Sequence, residues 1–140
     1  MHSLTVVLLP PNTRDLQRAA EELLEPHLVA GGADRPARLD FWTAGRENIA
    51  DEFTAQTVGV SAVANLRRNV CFVSRLAADL VPGAVVLPGG AWHTFFDHAW
   101  QFADGERNLN PSAWVQWTQV VKQLFATYPD HIAVEFSTHS

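Results

Sequence analysis

A single cysteine, Cys71, stands among the 140 residues. That excludes an internal disulfide framework and points to a reducing, intracellular setting. Basic residues are in deficit: 10 Lys and Arg face 15 Asp and Glu, for a net charge of −5. A domain that grips phosphates needs the opposite balance. The one local basic cluster, Arg67-Arg68, reads as a solvated helix edge. No apolar run approaches the roughly 18 residues that a membrane span requires. The run Leu4–Leu9 has no basic residue before it and ends at Pro10-Pro11, so it reads as a first strand rather than a signal peptide. The expectation is a cytoplasmic protein without nucleic-acid or membrane partners. Phosphate-cradling and nucleophile motifs are missing too: there is no GxGxxG between a strand and a helix, and no GxSxG. No cofactor is expected.

What is present is globular. The chain is 47% hydrophobic and 18% charged, and a chain of this length buries roughly two thirds of its unfolded surface. One domain, 1–140, is expected. Leu16, Ala19, Ala20, Leu23 and Leu24 recur at helical spacing after the first strand. Asn12 or Thr13 is placed to cap that helix, with Asp15 in its first turn and Pro26 near its end. Residues 30–38 read as a loop and Leu39–Thr43 as a short strand. Residues 47–70 give no consistent period. Ser74–Leu80 reads as a short helix stopped by Pro82-Gly83. Ala84–Leu87, Pro88-Gly89-Gly90 and Ala91–Phe96 read as a hairpin, its glycines supplying the backbone reversal. Gln101–Leu109 reads as a polar loop. Asn110 and Pro111 start a helix with Trp114, Trp117, Val121, Leu124 and Phe125 on its core face. Ile132, Val134 and Phe136 alternate with Ala133, Glu135 and Ser137, a strand with one buried face. The expected fold class is α+β: a two-layer sandwich, a mixed or antiparallel sheet with helices on one face, ferredoxin-like in arrangement.

Candidate chemistry gathers in 89–98. On an extended strand His93 and Asp97 share a face, and a carboxylate beside an imidazole is half of a general-base arrangement; these two are the candidate catalytic residues. His93, His98, His131 and His139, with Asp97 and Asp130, are the candidate metal ligands, although their spacing follows no standard zinc pattern; metal content stays open. Arg46 follows a strand and a glycine, where its guanidinium clamps a carboxylate or phosphate or else pairs with Asp40 or Glu47.

Three segments carry a resemblance: Asp40-Phe41-Trp42-Thr43-Ala44-Gly45-Arg46, Ala84-Val85-Val86-Leu87-Pro88-Gly89-Gly90-Ala91-Trp92-His93, and Tyr128 to His139. Together they resemble a family of small uncharacterised bacteriophage and actinobacterial proteins with D-Y/W-x-x-G-G-R-W, D-G-x-W-H and C-terminal D-x-H segments. Ala44, Glu47, Gly89 and Ser137 depart from that pattern; Asp40, Trp42, Arg46, Trp92, His93 and His139 keep it. The resemblance implies a shared fold and a shared site position, and no particular reaction.

Three functions follow. The first is binding of a small anionic or aromatic ligand in a polar–aromatic pocket of Asp40, Trp42, Arg46, Trp92, His93 and His139. The second is a small enzyme using a His93 base or a histidine-bound metal. The third is a protein-interaction module, a phage-derived inhibitor or a homodimer, presenting Phe95, Phe96, Trp100 and Phe102.

Overall fold

The computed structural model describes residues 2–28, 41–44, 69–103 and 105–139. In chain order the elements are β1 (His2–Leu9), α1 (Leu16–Leu24), β2 (Phe41–Ala44), β3 (Val70–Phe72), β4 (Ala84–Val86), β5 (Trp92–Thr94), β6 (Trp100–Ala103), β7 (Glu106–Leu109), α2 (Ala113–Thr127) and β8 (Ile132–His139). Six strands share one sheet in the order β2-β8-β1-β4-β5, with β3 also on β8; β6 and β7 form a separate two-stranded ribbon. Among the described strands of the sheet, β1 and β4 pair in parallel and the other pairs are antiparallel.

β1 organises the fold because both its faces are apolar. Leu4, Val6 and Leu8 belong to one core with Trp117 and Val121 of α2, while Val7 and Leu9 belong to another with Ala20 and Leu24 of α1. Since successive strand residues face opposite ways, the helices lie on opposite sides of the sheet. This corrects the expected two-layer, ferredoxin-like arrangement, which needs both helices on one face. It also explains β8, where Ile132 through Thr138 are buried without alternation rather than on one face only. A strand covered on both sides has no solvent face on which to place polar residues.

Local starts and stops differ from the sequence pattern where a side chain finds a nearer backbone donor. Asp15, not Asn12 or Thr13, caps α1: its Oδ1 accepts from Arg18 N–H at 3.2 Å. Thr13 Oγ1 instead donates to Pro10 O. Asn110 does not cap α2 directly. Its Oδ1 accepts from Ser112 N–H at 3.0 Å, which holds the turn that leads into the helix. Ser74–Leu80 is not a helix; a 3₁₀ turn at Val73–Arg75 is followed by turns that bury Leu80.

β2 and β3 lie end to end along the outer edge of β8. Ala44 stands opposite Phe136 and Val70 opposite Val134. Asn69 holds the junction: its carbonyl accepts from Glu135 N–H at 2.8 Å, and its Nδ2 donates to Glu135 O and to Gln17 Oε1 of α1. The hairpin at 84–94 is present as expected, with φ +93° at Gly90. Its second strand stops at Thr94, two residues short of the expected Phe96. Among the described residues no helix is long and apolar enough to cross a membrane.

Candidate functional site

The residues expected to line one pocket take separate places. Asp40 and Arg46 lie outside the described residues. Trp42, on β2, packs into the α1-side core, and its indole Nε1–H reaches Glu21 Oε1 at 3.4 Å. Trp92, on β5, packs into the same core from the opposite edge of the sheet. Four strand steps separate the two indoles' strands, roughly 19 Å. Trp92 instead meets His27, the ring centroids 5.0 Å apart, and His27 Nε2 lies 3.2 Å from Gly90 O.

His93 pairs with Val85, a residue of the α2-side core, so it faces away from Trp92. His139 alternates with Ala133 on that same side, but three strands across and four residues further along from the level of His93. Strand geometry puts the two histidines roughly 20 Å apart. The structure therefore does not bring Trp92, His93 and His139 to one hollow.

Nor does Asp97 serve His93. The chain leaves the strand after Thr94 and makes a 3₁₀ turn over Phe95–Asp97. Asp97 Oδ2 accepts from Thr94 N–H at 3.0 Å, while Thr94 and Asp97 form a reciprocal capping box. The carboxylate's task is to close that turn, which in turn is tied to the sheet by Thr94 Oγ1 donating to Gly83 O. Of the other candidates, His98 stacks near Trp117, ring centroids 6.1 Å apart, and His131 pairs its Nδ1 with Asp130 Oδ1 at 3.0 Å. That contact, a hydrogen bond first and a charge effect second, holds the Asp130 carboxyl below its ordinary value. Among the described residues no three His, Cys, Asp or Glu side chains gather as a metal site.

What the structure does gather is apolar surface. Among the described residues the exposed large hydrophobic side chains are Phe96, Trp100, Leu109, Trp114 and Val115. All five fall within twenty consecutive positions, on the 3₁₀ turn, the β6–β7 ribbon and the first turn of α2. Leu109 is 70% exposed and Trp114 55%, values that a core residue never has. Phe95 links two of them, its ring centroid 5.7 Å from that of Phe96 and 6.0 Å from that of Trp114. Across the ribbon Trp100 stands opposite Leu109, and the Arg107 guanidinium lies 3.7 Å from the Trp100 ring centroid. Asn110 fastens the ribbon to the body: its N–H donates to Ala99 O, its Nδ2 to His98 O and to Gln116 Oε1.

The sequence reading named Phe95, Phe96, Trp100 and Phe102 for such a surface; the side chain of Phe102 lies outside what is described. It placed Trp114 in the core, whereas Ala113, Trp117 and Val121 are the buried members of that helix. It missed Arg107 and Leu109, although Asp104-Gly105 between alternating residues is a hairpin signal, and Gly105 adopts φ +77°. No protein-family model, curated protein or solved structure matches the chain.

Proposed function

We propose that this protein is an interaction module that docks another protein through the face built by Phe96, Trp100, Arg107, Leu109, Trp114 and Val115. The supporting observation is that the exposed large apolar side chains among the described residues all fall between positions 96 and 115, on the 3₁₀ turn, the β6–β7 ribbon and the first turn of α2. Solvated apolar area of this kind is costly unless something covers it, and contiguous patches on a soluble chain mark interaction sites. Its composition fits a protein partner: aromatics and an arginine are enriched at the centres of protein interfaces, and acids and lysines are depleted. α2 carries one charged residue, Lys122, in fifteen. A membrane-surface helix would need several basic residues there.

The pocket reading has less support, because the described members of its residue set lie apart. The enzyme reading has less, because Asp97 lies on the 3₁₀ turn that follows β5 and not on the strand beside His93. Kinship with phage and actinobacterial proteins, if carried by the segments at 40–46, 84–93 and 128–139, belongs with the docking reading, since an inhibitor works by covering a partner. We place the protein in the cytoplasm, where Cys71 stays reduced.

The test is a photoreactive residue at Gln116, at the rim of this face, in cell extract. Adducts should form, and should disappear when Trp114→Ser and Phe96→Ser are added to a protein whose circular dichroism is unchanged. Adducts of equal yield with and without those changes would refute the reading.

A further inference from the structure

The same face carries an open strand edge. Among the described residues β6 and β7 pair only with each other, and all four residues of β7 are exposed. A lone two-stranded ribbon is marginal in water and needs a third strand or a covering surface. The direction of its unused groups can be read from the ladder. Asn110 N–H donates inward to Ala99 O, and hydrogen-bonded and non-hydrogen-bonded pairs alternate along an antiparallel ribbon. With Asn108 opposite Gln101 and Glu106 opposite Ala103, the groups of 106, 108 and 110 point at β6. Those of Arg107 and Leu109 point outward.

We infer that the occupant of this face is a second copy of this chain, joined by antiparallel pairing of β7 with β7 of the other copy. The inference rests on the docking reading above. A two-fold pairing of identical strands keeps side chains on matching faces only when the axis passes through a residue position. An axis at Glu106 or Arg107 sets like charges opposite each other, which destabilises a sheet. An axis at Leu109 sets Arg107 opposite Pro111, which has no N–H. An axis at Asn108 sets Arg107 opposite Leu109 of the other copy, in both directions. Every outward N–H and C=O of Arg107 and Leu109 is then used.

The side chains favour the same register. Trp100, Arg107 and Leu109 share one side of the ribbon, as the 3.7 Å Arg107–Trp100 contact requires. The pairing lays Leu109 of each copy beside the Arg107–Trp100 stack of the other and extends a continuous apolar row. The exposed area is of the right size. Five large side chains, each more than two-fifths exposed, leave on the order of 500 Å² at ~200 Å² per side chain. A standard interface takes roughly 800 Å² per partner, and the β7 backbone and Gln116 supply the remainder. Charge agrees as well: the chain is acidic overall at −5, but α2 contributes no acid to this face, so two copies meet without opposing carboxylates there.

The experiment uses the full chain. Asn108→Cys places two thiols across the axis at a Cα separation of about 4.5 Å, within disulfide range. Oxidation should give a covalent dimer. Gln101→Cys, at the same level on the inner strand, lies roughly 14 Å from its mate by strand spacing and should not link; Cys71 is buried. In parallel, the sedimentation mass of the unaltered protein should rise toward that of a dimer with concentration. Leu109→Lys, with unchanged circular dichroism, should weaken that association by roughly tenfold or more. The inference is overturned if Asn108→Cys links no better than Gln101→Cys, or if the protein stays monomeric at about 100 µM, a concentration at which even a weak dimer forms. A monomer whose Gln116 adducts still depend on Trp114 removes the second copy and leaves the docking reading standing. A dimer indifferent to Leu109→Lys and unlinked at Asn108 removes this pairing and shows a different surface in use.

Discussion

The guanidinium of Arg107 lies 3.7 Å from the ring centroid of Trp100, on a ribbon whose second strand is wholly solvent-exposed. An exposed cation–π contact is worth about 0.5–1 kcal/mol. It fixes the indole in one orientation, which matters more for docking than for folding. Arg107→Ala should leave the global unfolding midpoint within the scatter of a surface substitution, about 0.5 kcal/mol. It should lower affinity at the aromatic face and raise hydrogen exchange along 100–109. A large drop in global stability would mean that the ribbon is part of the core.

Two tryptophans three positions apart on α2 should behave oppositely. Trp117 is fully buried, and its indole N–H donates to Pro82 O at 2.7 Å. Trp117→Ala removes a large core ring and strands that carbonyl, so a loss of about 3–5 kcal/mol is expected in denaturant unfolding. Trp117→Phe keeps most of the volume and should cost about 1–3 kcal/mol, chiefly for the unpaired buried acceptor. Trp114→Ala removes an exposed ring and should move stability by no more than about 0.5 kcal/mol. Comparable losses at 114 and 117 would contradict the placement of α2.

That contrast marks where the sequence was readable. Trp114 and Trp117 both fit a helical apolar stripe, and nothing local says that the stripe runs out of sheet to cover at its first turn. The first strand, α1 and the 84–94 hairpin were legible because proline, glycine and periodicity all agree there. The side of the sheet that each helix takes was not, since it depends on the chain crossing from β1 to β4 and later returning to β8. The separation of Trp92 from His93 was legible. Trp92 and His93 are neighbours in a strand, so they face opposite ways and cannot line one hollow. The β6–β7 ribbon was missed because its alternation pairs aromatic residues with charged ones, which looks like a polar loop until Gly105 is read as a turn.

A close approach at the start of β4 leaves little room for a side chain at Gly83. A Cβ there would meet the Ser3 side chain at 3.0 Å, while Gly83 N–H donates to Leu4 O and Gly83 O accepts from Thr94 Oγ1. Gly83→Ala should push β1 and β4 apart at the end where their pairing begins, costing about 1–3 kcal/mol. Gly89→Ala meets nothing within 4 Å and should cost far less. Equal costs would show that crowding by Ser3 is not the operative constraint.

On the surface near the end of α2, Asp130 and His131 give a small pH effect of definite sign. The Asp130 carboxyl titrates below its ordinary 3.8 because His131 hydrogen-bonds to it. A carboxyl depressed in the folded state stabilises that state above its unfolded value and ceases to do so as pH falls through its folded value. Stability should therefore fall on acidification below about pH 4, by less in Asp130→Asn than in the unaltered protein. The exposure of the Asp130 side chain, 75%, and screening by salt keep the difference small. A larger acid loss in Asp130→Asn would reverse the assigned sign.

Beneath α1, two hydroxyls provide the sharpest test of the sheet register. Thr5 Oγ1 and Thr138 Oγ1 are 2.8 Å apart and both residues are buried. Ser3 Oγ stands 3.3 Å from Thr138 Oγ1 as a second neighbour. The contact exists only because β1 and β8 pair with Thr5 opposite Phe136 and Ser3 opposite Thr138. Removing one hydroxyl leaves the other short of its partner in a dry place, at about 1–3 kcal/mol, whereas removing both with the shape retained is nearly neutral. Thr138→Val should be the harsher single change, because Thr5 is wholly buried and its hydroxyl then loses Thr138 Oγ1. Thr5→Val leaves Thr138 with Ser3, its hydroxyl still donating to Ser3 O at 3.3 Å, so it should cost less, and the double change should cost less than the sum of the two single changes. A coupling of about 0.5 kcal/mol or more in the double-mutant cycle is expected. Strict additivity would place the two threonines out of contact and break the register on which the whole sheet is described.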